Sequence, residues 1–168
     1  EGGNINITNG LELTLNYSNA APAGIVSLLL NNATLTAGHI DINNTGSSTI
    51  ERGMALQGNS TITNTNIKVA GNYNLALSLM NGANITGDQS NITINTTERG
   101  IYASGSRTID VNKIDITAAV FMQLADSVSV KTNMLTLKGT EYNSQKAFQD
   151  DRADYDNSIK GFDQIQIK

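Results

Sequence analysis

Glu-Arg-Gly occurs twice, at 51–53 and 98–100, and no other pairing of charged residues repeats in this way. A carboxylate beside a guanidinium can line up with its copies into a charged ladder that grips a partner. It can also satisfy itself as an ion pair at a corner, with Gly supplying the turn, and an exposed pair of that kind contributes only about 0–1 kcal/mol. The flanks repeat as well. TIERGMALQGNSTI (49–62) and TTERGIYASGSRTI (96–109) agree at seven of fourteen positions, at an offset of 47 residues. His39, the single histidine, lies in GHIDI. A triad or zinc site would need a nucleophile or further ligands beside it, and neither a GxSxG elbow nor a His-Glu spacing accompanies it. The alternation of Ile40 and Ile42 turns His39 outward at a corner.

Acid–base chemistry on sugars needs two carboxylates facing one groove. Here the acids of the first 140 residues are scattered, and Asp110, Lys113 and Asp115 come closest to a cluster. Asp115 stands between Ile114 and Ile116 and points outward, with no acid opposite. Thr34/Thr36, Thr61/Thr63 and Thr63/Thr65 make T-x-T steps of the kind a flat ice-binding array uses, but the steps do not recur in every repeat. Asp150, Asp151, Asp154 and Asp156 have oxygen ligands suited to Ca²⁺ yet lack the Gly and bidentate Glu of an EF loop. The reading is therefore of no catalytic residue, no metal ligand set and no cofactor.

The elements that position these residues follow from composition and periodicity. The chain has 168 residues, no Cys, one Pro and a net charge of −4. That charge argues against a nucleic-acid partner, and no Cys means no disulfide framework. The polarity is uncharged instead, with 22 Asn, 18 Thr, 13 Ser and 15 Gly. Asn and Gly suit tight turns and Thr suits strands, so the chain reads as short strands joined by many corners. The longest apolar run, GIVSLLL at 24–30, is too short to span a bilayer. With no signal peptide at Glu1, the expectation is a mature form or a piece of something larger.

Three signals recur in a fixed order. Alternating pairs stand at Leu13/Leu15, Ile40/Ile42, Ile67/Val69, Ile92/Ile94, Ile114/Ile116 and Leu135/Leu137. Small-then-apolar runs stand at GIVSL, GMAL, NLAL, GIYA and AVFM. A polar residue before one apolar residue marks Leu35, Ile62, Ile85, Ile109 and Val128. Each unit of about 24 residues thus holds three short β signals. Stacked, such units give an all-β fold, a right-handed parallel β-helix of five to six coils, with like residues forming ladders along the axis. An antiparallel sandwich also has many short strands, but it requires no fixed three-part order. The offset of 47 then equals two coils, which puts the two ERG triplets at one corner two layers apart.

Asn-x-Ser/Thr occurs eight times, at Asn6, Asn16, Asn32, Asn43, Asn59, Asn84, Asn91 and Asn95. Glycosylation is one reading, and polar residues at i and i+2 on an outer strand face are the other.

The sequence reads as a single β-helix domain over 1–168, a fragment of a longer chain, with an excursion at 139–162. Four of the eight aromatics fall in that excursion. Phe148, Tyr155, Ile159 and Phe162 follow a helical 7-4-3 spacing, and IQI at 165–167 resumes the strand alternation. The excursion either carries function, as loops on rigid scaffolds do, or shields an open rod edge. If it binds, its surface offers Tyr142, Asp150, Asp151, Arg152, Asp154, Tyr155 and Asp156.

GIYASG…TIDVNKIDIT, with Asn/Thr-rich corners and no Cys, resembles the passenger region of bacterial type V autotransporters, in the style of AIDA and antigen 43 and more distantly of pertactin. The resemblance covers about residues 4–138 and is one of repeat style. It implies a rod at the bacterial surface or released from it, exported through a C-terminal outer-membrane β-barrel that is not in this sequence. It implies no enzyme, but an adhesin whose partner is a host surface receptor, a glycan or another copy of itself. A β-helix polysaccharide lyase or glycosidase, and a released effector binding a host receptor, are the alternatives.

Overall fold

The computed structural model describes residues 3–17 and 23–168, and among them strands pair in parallel around a three-faced coil. The first face stacks Gly3–Ile7, Ala33–Ala37, Thr61–Thr63 and the leading parts of Asn84–Thr96, Thr108–Thr117 and Ser129–Leu137. The second stacks Leu11–Leu15, His39–Asn44, Asn66–Gly71 and the trailing parts of the same three long strands. The third stacks Val26–Asn31, Ile50–Gln57, Tyr73–Leu79, Arg99–Ser104 and Val120–Ala125. Five complete turns result, and a sixth begins with Ser129–Leu137. Among the described residues the one antiparallel pairing joins Leu135–Leu137 to Thr140–Tyr142. This is a parallel β-solenoid and not a sandwich.

The core is built from rows. Leu11, Ile40, Ile67, Ile92, Ile114 and Leu135 share one register position, and from Ile40 onward each is at most 1% exposed. Burying such a side chain contributes about 1.5–3 kcal/mol, which offsets the ordering of a chain so rich in Gly and Asn. Corners are closed by buried hydroxyls. Ser60 Oγ accepts from the Ala33 amide at 3.3 Å, and Thr65 Oγ1 from the Ala37 amide at 3.0 Å. Ser90 Oγ accepts from the Thr65 amide at 3.0 Å. Each hydroxyl satisfies a backbone donor that a turn would otherwise leave buried and unpaired.

On the first two faces, two register assignments differ from the sequence reading. Leu11 and Leu13, not Leu13 and Leu15, lie against Ile40 and Ile42. Val130, not Val128, lies against Ile109. Both slips are of two residues. Strand side chains repeat with period two, so such a slip preserves the inward and outward pattern and leaves no trace in it. The Leu35, Ile62, Ile85 and Ile109 row and the remaining alternating pairs fall in register as expected.

The segment after Leu137 does not leave the rod in the manner expected. Thr140–Tyr142 already pairs with the second face, Ile159–Lys160 extends the third and Ile165–Ile167 extends the first. Beyond Tyr142, two stretches lack strand pairing, the turn Phe162–Gln164 and the longer run between Tyr142 and Ile159, and the longer one crosses the end of the core. The 7-4-3 spacing does not make one helix. It is divided among the helix Gln145–Asp150, the 3-10 turns Arg152–Tyr155 and Phe162–Gln164, and the strand at Ile159. The aromatics nevertheless converge. Phe148 is fully buried and stacks on Phe162 with centroids 4.2 Å apart, and Tyr142 meets Phe148 edge-on at 5.5 Å. Phe121, from the third face, meets Tyr155 edge-on at 5.9 Å. The segment is an aromatic plug on the last coil, which corresponds to the edge-shielding reading.

Candidate functional site

Three surfaces hold the polar side chains that can meet a partner: the cap, the outer rows of the first two faces, and a groove on the third.

On the cap, the seven residues named from the sequence do not form one patch. Tyr142 is 3% exposed and belongs to the plug, not to the surface. Its hydroxyl donates to Asp151 Oδ2 at 2.9 Å and therefore accepts from Tyr155 at 2.5 Å. Asp150 pairs with Lys146 one helical turn back. Arg152 binds both carboxylate oxygens of Asp163, at 2.7 and 3.2 Å, and lies 5.0 Å above the Phe162 ring. Tyr155 is half-buried, while Asp154 and Asp156 are exposed. Most of this charge is committed to holding the cap together. Among the described residues no group of three or more His, Asp or Glu is placed to hold a metal ion.

Burial, and then the contacts of its hydroxyl with Tyr155 and Asp151, push the Tyr142 phenol well above the ordinary tyrosine range. A folded-state value raised above the unfolded one near 10 adds stability that is complete below about pH 10 and is lost as pH rises beyond it. Tyr142→Phe should therefore cost about 1 kcal/mol at pH 8, from the lost hydrogen bonds. The gap to the wild type should narrow between about pH 10 and 11.5 in thermal melts. A gap that stays constant across that range would show that the phenol is not linked to folding.

The outer rows are ladders. Asn91 Nδ2 donates to Asn66 Oδ1 at 2.7 Å, Asn112 to Asn91 at 3.0 Å, and Asn133 to Asn112 at 3.2 Å. Thr36 and Thr63 share a hydroxyl contact at 3.0 Å. Sequon asparagines are engaged in the same way: Asn84 Oδ1 accepts from the Thr108 amide at 2.8 Å and Asn32 Oδ1 from the Asn59 amide at 3.1 Å. The sequon at Asn16 ends on Ser18, which lies outside the described residues. The Asp110, Lys113, Asp115 cluster is split between faces. Lys113 pairs with Asp115 at 3.6 Å on the second face, while Asp110, on the first, pairs with Lys168. His39 sits 3.5 Å from Glu12 at a half-exposed corner.

The third face carries the ERG residues. Val26, Arg52, Leu75, Arg99 and Val120 occupy one outward row, so the two arginines are two layers apart with Leu75 between them, as the offset of 47 requires. A second outward row runs Leu29, Ala55, Ser78, Tyr102 and Gln123. The expected Glu-Arg corner ion pair does not form in either triplet. Glu51 accepts instead from Asn74 Nδ2 at 3.3 Å. Arg99 Nε donates to the Asn74 carbonyl at 3.3 Å and Nη1 to Gln123 Oε1 at 3.5 Å. Nor does Gly supply a left-handed turn, since neither Gly53 nor Gly100 has a positive φ. An added Cβ at Gly53 would lie 2.5 Å from Val69 Cγ1 and 2.7 Å from the Ala76 carbonyl oxygen. The glycine is there for close packing.

Glu51, Arg52, Leu75, Ser78, Met80, Arg99 and Tyr102 enclose an open groove of about 360 Å³. Sequence reasoning missed Leu75 and Ser78. Setting Ala76 of NLALS, rather than Asn74, against the ERG glycines would have placed Leu75 between the arginines.

Comparison with models of protein families, with curated proteins and with solved structures finds no match for this chain.

Proposed function

We propose that this chain is a stretch of the passenger region of an autotransporter adhesin, displayed on or released from a bacterial surface, acting without catalysis in adhesion to host surfaces or to further copies of itself. The observation that carries the reading is the hydrogen-bonded asparagine row from Asn66 to Asn133, which runs along the rod axis across four coils. Such a row offers the same donors and acceptors at each step of the coil. A partner laid along the rod then makes many modest bonds in parallel, which is how weak contacts add up to adhesion. The Cys-free, Asn/Thr-rich repeat style supports the same reading. Sedimentation over a concentration series, together with binding of the tagged chain to host cells and to matrix glycans, tests it. Concentration-dependent association or saturable binding is expected. A strictly monomeric rod that binds neither cells nor glycans would sink it.

A further inference from the structure

The groove on the third face has features that the core and the backbone ladder do not need. Lys113, Lys146, Arg152 and Lys168 each pair with a carboxylate. Arg99 meets only neutral groups, and among the described residues Arg52 has no side-chain hydrogen bond or ion pair. Arg107 also lacks a carboxylate and bonds the Ser106 carbonyl, but Arg52 and Arg99 are the two such guanidiniums that line one groove. The second feature is Ser78. It lies between Ala55 and Tyr102 in the outward row, is 1% exposed, and its hydroxyl has no hydrogen-bond partner. A buried hydroxyl without a partner costs free energy and calls for a reason. Here it lines the groove between the arginines' row and the half-buried Tyr102.

We infer that this groove binds a glycan through a single carboxylated sugar flanked by neutral ones. Arg52 and Arg99, entering from either side of Leu75, take the carboxylate, for which the planar guanidinium fork is well matched. Tyr102 lays an apolar ring with a polar tip beside the pyranose. Ser78 and the Glu51 carboxylate serve sugar hydroxyls, Glu51 as acceptor only. Glu51 also selects among anions. With two arginines and one carboxylate lining it, the groove carries one net positive charge, which suits an isolated carboxylate and disfavours a densely sulfated chain. The volume of about 360 Å³ lies within the usual roughly 300–1,000 Å³ of small-ligand sites. An acidic protein segment is the lesser fit, because Leu75 and Met80 offer little apolar floor for a peptide anchor.

This deepens the adhesive reading by naming a ligand class and a site for it. Calorimetric titration of the 168-residue chain tests it. The probes are a sialylated trisaccharide, a trigalacturonate, their neutral counterparts, a heparin oligosaccharide and a polyglutamate peptide. One or both carboxylated sugars should bind, and which one binds distinguishes a sialate from a uronate. The neutral sugars, heparin and the peptide should bind at least tenfold more weakly. Arg52→Gln and Arg99→Gln should each weaken binding roughly tenfold or more while leaving the melting temperature within a degree or two. Ser78→Ala should weaken binding without lowering stability, since it removes a hydroxyl that the fold leaves unpaired. No binding of either carboxylated sugar, equal or tighter binding of heparin or polyglutamate, or unchanged affinity in both arginine variants would each overturn the inference. If the sugar binds but cells do not, the site stands and adhesion falls. If cells bind equally well after both arginine substitutions and no sugar binds, adhesion stands and the site falls.

Discussion

Phe148→Ala should destabilise the protein by about 3–5 kcal/mol, the usual cost of emptying a buried phenylalanine site. For a chain of this length that is a drop in melting temperature on the order of 10 °C. Phe148 is fully buried, stacked on Phe162 and within 6.3 Å of Tyr155 by ring centroids. Three strands of the last layer depend on this cluster for their cover: Thr140–Tyr142, Ile159–Lys160 and Ile165–Ile167. A solenoid is quasi-one-dimensional, each coil contacting mainly its neighbours. The damage should therefore be graded along the axis. Amide exchange should accelerate first in residues 140–167, next in 120–137, and least in 50–79. Uniform acceleration along the whole rod would mean that the cap is not a local unit. The exposed edge of Val130, Leu135 and Leu137 should also promote end-to-end association in the variant. Deleting residues 140–162 removes the same plug, so a loss of binding after that deletion would report on folding as much as on a contact surface.

The repeat was legible because a solenoid writes the same physics about every 24 residues: one Ile row, one Gly corner, one short polar-to-apolar step. What the pattern left open was alignment by two residues, at Leu11/Leu13 and at Val130, because period-two alternation is blind to such a slip. The cap was legible as a break in composition but not in direction. Four aromatics among acids signal either a protruding loop or a plug, and only the position of Phe148 against Phe162 decides between them. Tyr142 shows the limit most plainly. Its neighbours in sequence, Glu141 and Asn143, are exposed, and it becomes buried because antiparallel pairing with Leu135 turns its ring toward the core. Within the groove, the repeat of ERG drew attention to the right column, but pairing Glu with its own Arg is a one-dimensional idea. In a coil stack the nearest partner of a residue is usually about 24 positions away.

Replacing the ERG residues one at a time should separate stability from binding in the clearest way this chain allows. Gly100→Ala should cost about 1–3 kcal/mol and Gly100→Val more, through overpacking. A Cβ there would lie 2.6 Å from the Phe121 carbonyl oxygen and 2.9 Å from Ile116 Cγ2, and neither a ladder carbonyl nor a β-branched core residue can give way without moving its coil. The cost is steric and not conformational, because Gly100 does not occupy the left-handed region. The same column explains why a Cβ is accepted elsewhere. By register Ala76 sits between Gly53 and Gly100, with a glycine on each side leaving it room. Gly53→Ala should cost a similar amount, and the two substitutions, two layers or roughly 10 Å apart, should add to within about 0.5 kcal/mol. Arg99→Ala, by contrast, loses only half-exposed bonds to Asn74 and Gln123 and should cost no more than about 1 kcal/mol. Chemical denaturation of Gly53→Ala, Gly100→Ala, the double variant and Arg99→Ala checks all four. If Gly100→Ala were neutral and Arg99→Ala severe, the assignment would be reversed. The glycine would then mark a surface and the arginine would hold the fold, and the reading of ERG as a packing residue beside a binding residue would have to be abandoned.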